Sequence, residues 1–146
     1  MALEKRGKYY YGDSKADVRH EMTRFSRLNE YECHHFAEVV CFYGNNLFTL
    51  YVDEDEGAGV RVCSSCADEH AIGDSGDYLA DAELQRCECI CDNRNFELTV
   101  GVSLYADSDD VRWLYLGCRC PQCGLLGVYG NWKNEFIGYR ELLARV

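Results

Sequence analysis

Ten cysteines in 146 residues are the feature of this chain most able to do chemistry. They stand at Cys33, Cys41, Cys63, Cys66, Cys87, Cys89, Cys91, Cys118, Cys120 and Cys123. Two C-x-x-C pairs, Cys63-Ser-Ser-Cys66 and Cys120-Pro-Gln-Cys123, and one C-x-C pair, Cys89-Ile-Cys91, have the spacing of metal ligands rather than of scattered core residues. The N-terminus from Met1 to Tyr9 is charged and has no apolar h-region, so a secretory leader is not expected. No run approaches the ~20 apolar residues of a membrane helix. The expected location is cytoplasmic, where reduced thiols make metal binding a better explanation for ten cysteines than a secreted disulfide framework.

Two of the cysteines open similar strings. Cys41-Phe-Tyr43-Gly-Asn-Asn-Leu-Phe48-Thr-Leu50 leads to Cys63 and Cys66, and Cys89-Ile-Cys91-Asp-Asn-Arg-Asn-Phe96-Glu-Leu98 leads to Cys120 and Cys123. In both a Phe lies seven residues after the first Cys and a Leu two residues later, which indicates a duplicated unit. The second copy carries the longer hairpin. Its Phe96 to Tyr105 alternates apolar with small or polar residues, as a half-buried strand does. Ala106 to Asp110 is a polar turn, Val111 to Leu116 a return strand, and Leu125 to Tyr129 a third. A hairpin with C-x-C at one end of its base and C-P-x-C-G at the other brings four thiolates to one place. Zn²⁺ accepts four sulfurs tetrahedrally, with no geometric preference from its d-electrons.

The residues Cys89, Cys91, Cys120, Pro121, Cys123 and Gly124 resemble the zinc-ribbon family over about residues 87–132; residues 39–70 resemble it less closely. The resemblance implies structural zinc, because hairpins this small bury too little apolar surface to fold alone. Cys89, Cys91, Cys120 and Cys123 are therefore one expected Zn²⁺ site, and Cys41, Cys63 and Cys66 a second. That second site has a gap, since Tyr43 stands where the repeat calls for a cysteine. Cys33, His34, His35, His70 and Cys87 are all candidates for the fourth ligand, and the alternative is a copy that has lost its metal. Cys87 and Cys118 otherwise read as small buried residues beside the metal.

The remaining elements must position these units. Ser14 with Asp17 is an N-cap signature, and Val18, Met22, Phe25 and Leu28 recur at helical spacing, predicting an amphipathic helix over 15–28. Arg19, His20, Arg24 and Arg27 lie on its opposite face. Asp74 and Ser75 suggest a cap for a linking helix over 77–85, and Tyr139, Leu142, Leu143 and Val146 suggest a C-terminal helix, with Trp132 and Phe136 in the core. The fold class expected is α+β: two zinc-ribbon-like antiparallel hairpin units with an N-terminal amphipathic helix, a short linking helix and a C-terminal helix. Five segments follow: 1–38 helical, 39–70 the degenerate first unit, 71–86 the linker, 87–132 the second unit, and 133–146 the terminal helix.

The sequence contains no G-x-S-x-G, no H-E-x-x-H, no phosphate-cradling glycine loop and no H-x-E of the nucleoside deaminases. No catalytic residue is expected. The net charge of −10 argues against direct nucleic-acid binding and for a basic protein partner. Asp53-Glu-Asp-Glu56 and Asp107-Ser-Asp-Asp110 fall at the two expected hairpin tips, making both tips negative. Three readings follow: a non-catalytic interaction module, most specifically an acidic immunity-type inhibitor of a basic nuclease toxin; a transcription-associated ribbon contacting RNA polymerase; and a metalloenzyme with an open first site.

Overall fold

The computed structural model describes residues 4–134 and 137–146, so Phe136 lies outside the described residues. Its elements in chain order are β1 (Glu4–Arg6), β2 (Tyr9–Tyr11), α1 (Lys15–Leu28), β3 (His35–Glu38), β4 (Phe48–Asp53) and β5 (Ala58–Cys63). There follow β6 (Glu69–Ala71), two 3₁₀ turns, β7 (Gln85–Arg86), β8 (Glu97–Leu104), β9 (Val111–Arg119), β10 (Leu125–Lys133) and α2 (Tyr139–Leu143). The strands form an antiparallel six-stranded sheet in the order β1-β2-β10-β9-β8-β3 and a four-stranded sheet in the order β6-β5-β4-β7. Among the described residues no helix is long and apolar enough to cross a membrane.

The duplication is visible as approximate two-fold symmetry. Phe48 and Phe96, matched in the repeat, face each other and exchange both backbone hydrogen bonds, at 3.0 and 2.8 Å. Each copy also lends a strand to the other. The segment leading into the first copy pairs with the second hairpin, with β3 on β8 and the Val39 N–H on the Leu98 carbonyl. Reciprocally, β7 pairs with β4 and the Cys87 N–H reaches the Leu50 carbonyl. Phe48, Leu50, Phe96 and Leu98 are all buried in one continuous core shared by the two sheets.

Helix α1 closes a second, smaller core on the other side of the large sheet, where Val18 and Met22 meet Tyr115, Leu126 and Cys33. Its start is fixed as the sequence implies: the Ser14 N–H donates to the Asp17 carboxylate and the Asp17 N–H to the Ser14 carbonyl. The helix lies close at Gly101 and Gly117, where the strands beneath it carry no side chain. A methyl group on Gly117 would sit 2.3 Å from Met22 Sδ, and one on Gly101 2.8 Å from Met22 Cε.

The fold-class expectation is corrected here. The protein is mostly β, in two antiparallel sheets with two short helices, and is not an α+β fold flanked by three helices. No linking helix forms. Residues 75–77 and 79–81 are single 3₁₀ turns, after which Gln85 and Arg86 fill the edge beside β4. Leu79, Ala80, Ala82 and Leu84 give no apolar stripe at helical period, and the exposed backbone edge of β4 competes for the chain. The terminal helix is only five residues long. Two smaller differences matter to the core. Strand β8 is buried on both faces rather than half-buried, because α1 covers the face carrying Thr99, Gly101 and Ser103. Leu28, counted on the apolar face of α1, is exposed, and the buried positions toward the helix end are Met22 and Ser26 instead.

Candidate metal centre

Each copy builds its site from two tight turns at the open end of its hairpin. In the second copy the Cys89 N–H donates to the Asn93 carbonyl and the Asp92 N–H to the Cys89 carbonyl, curling the chain around Cys89. On the other side the Cys120 N–H donates to the Leu125 carbonyl and the Gly124 N–H to the Cys120 carbonyl. Gly124 has φ +83°, a left-handed conformation that glycine adopts without a Cβ penalty. The first copy repeats these bonds: Cys41 to Asn45, Gly44 to Cys41, Cys63 to Asp68, and Ala67 to Cys63. Here Ala67, with φ +62°, stands where the second copy has Gly124.

The second site gathers four sulfurs. Cys89 Sγ lies 3.5 Å from Cys123 Sγ and Cys91 Sγ lies 3.6 Å from Cys120 Sγ, and all four atoms are within 4.8 Å of one another. A tetrahedral ion with metal–sulfur bonds of ~2.3 Å sets its sulfurs ~3.8 Å apart, within the range of spacings found here. Burial opposes ionisation of Cys120. The Cys123 N–H, the Asn93 amide and the Gln122 N–H outweigh it and bring that thiol down to about 7. Cys89 moves the other way, pushed up to about 12 chiefly by burial. A divalent cation among them removes that penalty, because coordinated thiols are deprotonated outright.

The first site gathers three. Cys41, Cys63 and Cys66 place their sulfurs within 4.8 Å of one another, with Cys41 and Cys63 buried and Cys66 exposed. The Cys66 and Ser65 backbone N–H groups hold Cys63 down at about 7. Asn45 donates both its backbone N–H and its side-chain amide to Cys41 Sγ, each at 3.3 Å. Arg61, buried behind the cluster, stacks its guanidinium 4.8 Å over the Phe48 ring and donates from Nε to the Val146 carbonyl. Burial lowers the Arg61 pKa, while Asp68 and the three thiolates act to raise it.

None of the five fourth-ligand candidates joins this cluster among the described residues. Cys33 lies under α1, its N–H on Ser26 Oγ. His34 is exposed, and His35 stacks on Tyr139 at 3.9 Å between ring centres. The His70 ring bonds the Arg145 carbonyl. Cys87 faces the main core, where burial and Glu54 raise its thiol to about 11; Cys118 is fully buried in that same core. The residues that the sequence reading passed over are Asn45, Asn93 and Arg61. Asn45 and Asn93 were legible, since each lies four residues after the first cysteine of its copy and each donates to a ligand sulfur. Arg61 had no such signal, because its matched position in the second copy is Cys118.

Comparison with known proteins found no matching family model, no similar curated protein and no similar solved structure. The two clusters can hold metal ions, and that statement rests on this chain's own residues.

Proposed function

We propose that the protein is a non-catalytic zinc-stabilised interaction module whose acidic end engages a basic protein, in the specific form of an immunity-type inhibitor of a nuclease toxin. Zinc is the ion that suits closed tetrahedral thiolate sets of this kind. The observation that carries the interaction reading is where the acids lie. β4 and β5 run from the first cysteine cluster to the tip at Asp53, Glu54, Asp55 and Glu56, six residues per strand or ~20 Å away. At that tip Asp53 accepts the Glu83 N–H at 2.8 Å, adding a fifth acid, and Glu54 accepts from Asn131 of β10 at 3.0 Å. Among the described residues no lysine or arginine ion-pairs with these five acids. Such a negative surface speeds the approach of a basic partner and covers the place where that partner binds nucleic acid.

The polymerase-contact reading draws on the second tip, which differs. Asp109 ion-pairs with Arg140 at 3.5 Å and its carbonyl accepts the Tyr139 N–H, so that tip is folded against α2. It is less available as a free acidic finger. A nuclease-type toxin encoded beside this chain should co-purify with it at low salt and lose its cleavage of nucleic acid. Changing Asp53, Glu54, Asp55 and Glu56 together to lysine should slow association about tenfold or more while leaving metal content alone. Binding that ignores both salt and this charge reversal sinks the inhibitor reading.

A further inference from the structure

We infer that the Cys41/Cys63/Cys66 centre keeps its fourth coordination position open to solvent, and that this position takes an external small-molecule thiolate. The inference rests on the metal-binding part of the reading above and is independent of the acidic tip. Symmetry supplies the first argument. An offset of 48 residues carries Cys41 to Cys89 and Phe48 to Phe96, and it carries Tyr43 to Cys91. The position that closes the second site is therefore occupied in the first by a tyrosine. Its ring is three-quarters exposed, packed edge-on against Phe42 at 5.2 Å. No other His, Cys, Asp or Glu among the described residues completes the set.

The surroundings supply the second argument. The open side of the cluster is a concave space of about 520 Å³ lined by Phe42, Tyr43, Cys66, Ala67 and Asp68. Two aromatic rings, a methyl group and the Asp68 carboxylate make it a place for a small molecule with both an apolar and a polar part. Charge supplies the third. Three thiolates and one divalent cation sum to −1, and a fourth thiolate would bring −2. At this centre alone a buried arginine, Arg61, lies near the sulfurs, its positive charge shared between them and Asp68. Its Nη1 has no hydrogen-bond partner, while Nε donates to the Val146 carbonyl. Three soft sulfur donors would hold the ion, and a soft fourth donor would match them. With an ion in place, the exchange would replace a bound water with sulfur; the water and the thiol proton would leave to solvent and no electron would be transferred.

The full chain loaded with ¹¹³Cd tests this, because NMR gives each metal its own resonance. The Cys89/Cys91/Cys120/Cys123 resonance serves as the internal reference and should ignore added 2-mercaptoethanol. The first-site resonance should start at a position distinct from four-sulfur coordination and move toward it as 2-mercaptoethanol is added. The Tyr43→Cys variant should begin at the four-sulfur position and no longer respond, whereas Tyr43→Phe should behave as the parent does. A first-site resonance that stays fixed through the titration overturns the inference. So does a shift on Tyr43→Phe, which would make the phenol the ligand. A position that moves with protein concentration instead of with thiol assigns the sulfur to a second copy and also overturns it. A reference resonance alone, with no second signal, removes the inference but leaves the closed site standing; no resonance at all removes the metal reading itself.

Discussion

The two halves of this molecule share a plan and use it differently. In the second copy the hairpin is buried on both faces. Leu98, Leu116 and Cys118 face the shared core, while Thr99, Gly101 and Gly117 lie under α1. In the first copy the inner residues Phe48, Leu50 and Arg61 are buried, but the outer positions matched to Thr99 and Gly117 are Tyr51 and Val60, both only partly covered. The metal sites follow the same division. The four-thiolate site belongs to the hairpin at the centre of the six-stranded sheet, whereas the three-thiolate site belongs to the smaller sheet and has an exposed ligand. Duplication supplied two equal frames, and burial separated them into one that holds the fold and one that meets solvent.

The sharpest test of that division is to remove one ligand from each site. Both cysteines are buried in the main core, but Cys120→Ser should be the more damaging, because it breaks the four-thiolate site, whereas Cys63 belongs to the three-thiolate site with an exposed ligand. A loss on the order of 4–5 kcal/mol, or failure to fold without excess metal, is expected. Cys63→Ser should release only the first metal and lower stability by about 1–3 kcal/mol. Metal content by elemental analysis, with chemical denaturation of the same samples, reads both. Equal losses from the two variants would break the comparison.

Gly117→Ala probes the covered face without touching either metal. The added methyl would lie 2.3 Å from Met22 Sδ, 2.7 Å from Met22 Cγ and 2.9 Å from Val18 Cγ1, so the helix itself must shift. A cost of about 1–3 kcal/mol is expected, with metal content unchanged. Val60→Ala, at the matched position of the first copy, should cost less, since Val60 is only partly covered. If the two substitutions cost the same, α1 does not distinguish the halves.

How far the sequence reaches follows from these same residues. The repeat, both cysteine clusters, the two hairpin tips and the capped helix were legible because each depends on local spacing: C-x-x-C, alternation of period two, and Ser14 with Asp17. The exchange of strands was not. His35–Glu38 and Gln85–Arg86 are short, exposed or half-covered, and carry no pattern of their own. Only the free edges of β8 and β4 recruit them, and those edges exist only after the hairpins have formed. For the same reason the linker read as helical, since Asp74 and Ser75 suit a helix cap, whereas the edge of β4 draws the chain into a strand. The partners of the first metal site were equally out of reach. Whether Cys33 or Cys87 can approach Cys41 depends on which layer each enters: Cys33 is held under α1 and Cys87 in the core between the sheets.

The smallest expected effect lies at the junction of the two copies. Asp74, just beyond the first, accepts two hydrogen bonds from the Asn134 amide at the end of the second, at 3.2 and 3.1 Å. Burial raises the Asp74 pKa, the Asn134 hydrogen bonds only partly offset it, and Asn134 Oδ1 is buried with no partner. A raised carboxyl pKa means that the folded state holds the proton more tightly than the unfolded chain. The wild-type contribution of Asp74 is therefore favourable below the ordinary carboxylate range and is lost as pH rises through the raised folded value. An amide at this position stays neutral and can still accept from Asn134 Nδ2 through its one oxygen, while its nitrogen replaces the second accepting oxygen. Asp74→Asn should thus stabilise the protein by about 1 kcal/mol near neutral pH, because removing one half-buried charge outweighs the one accepted hydrogen bond that is lost. The gain should shrink as the solution is acidified and the wild-type carboxyl takes up its proton. Thermal unfolding of both proteins across that range checks the sign: a gain that grows on acidification, or a loss at neutral pH, would mean that the charge on Asp74 helps to join the two copies.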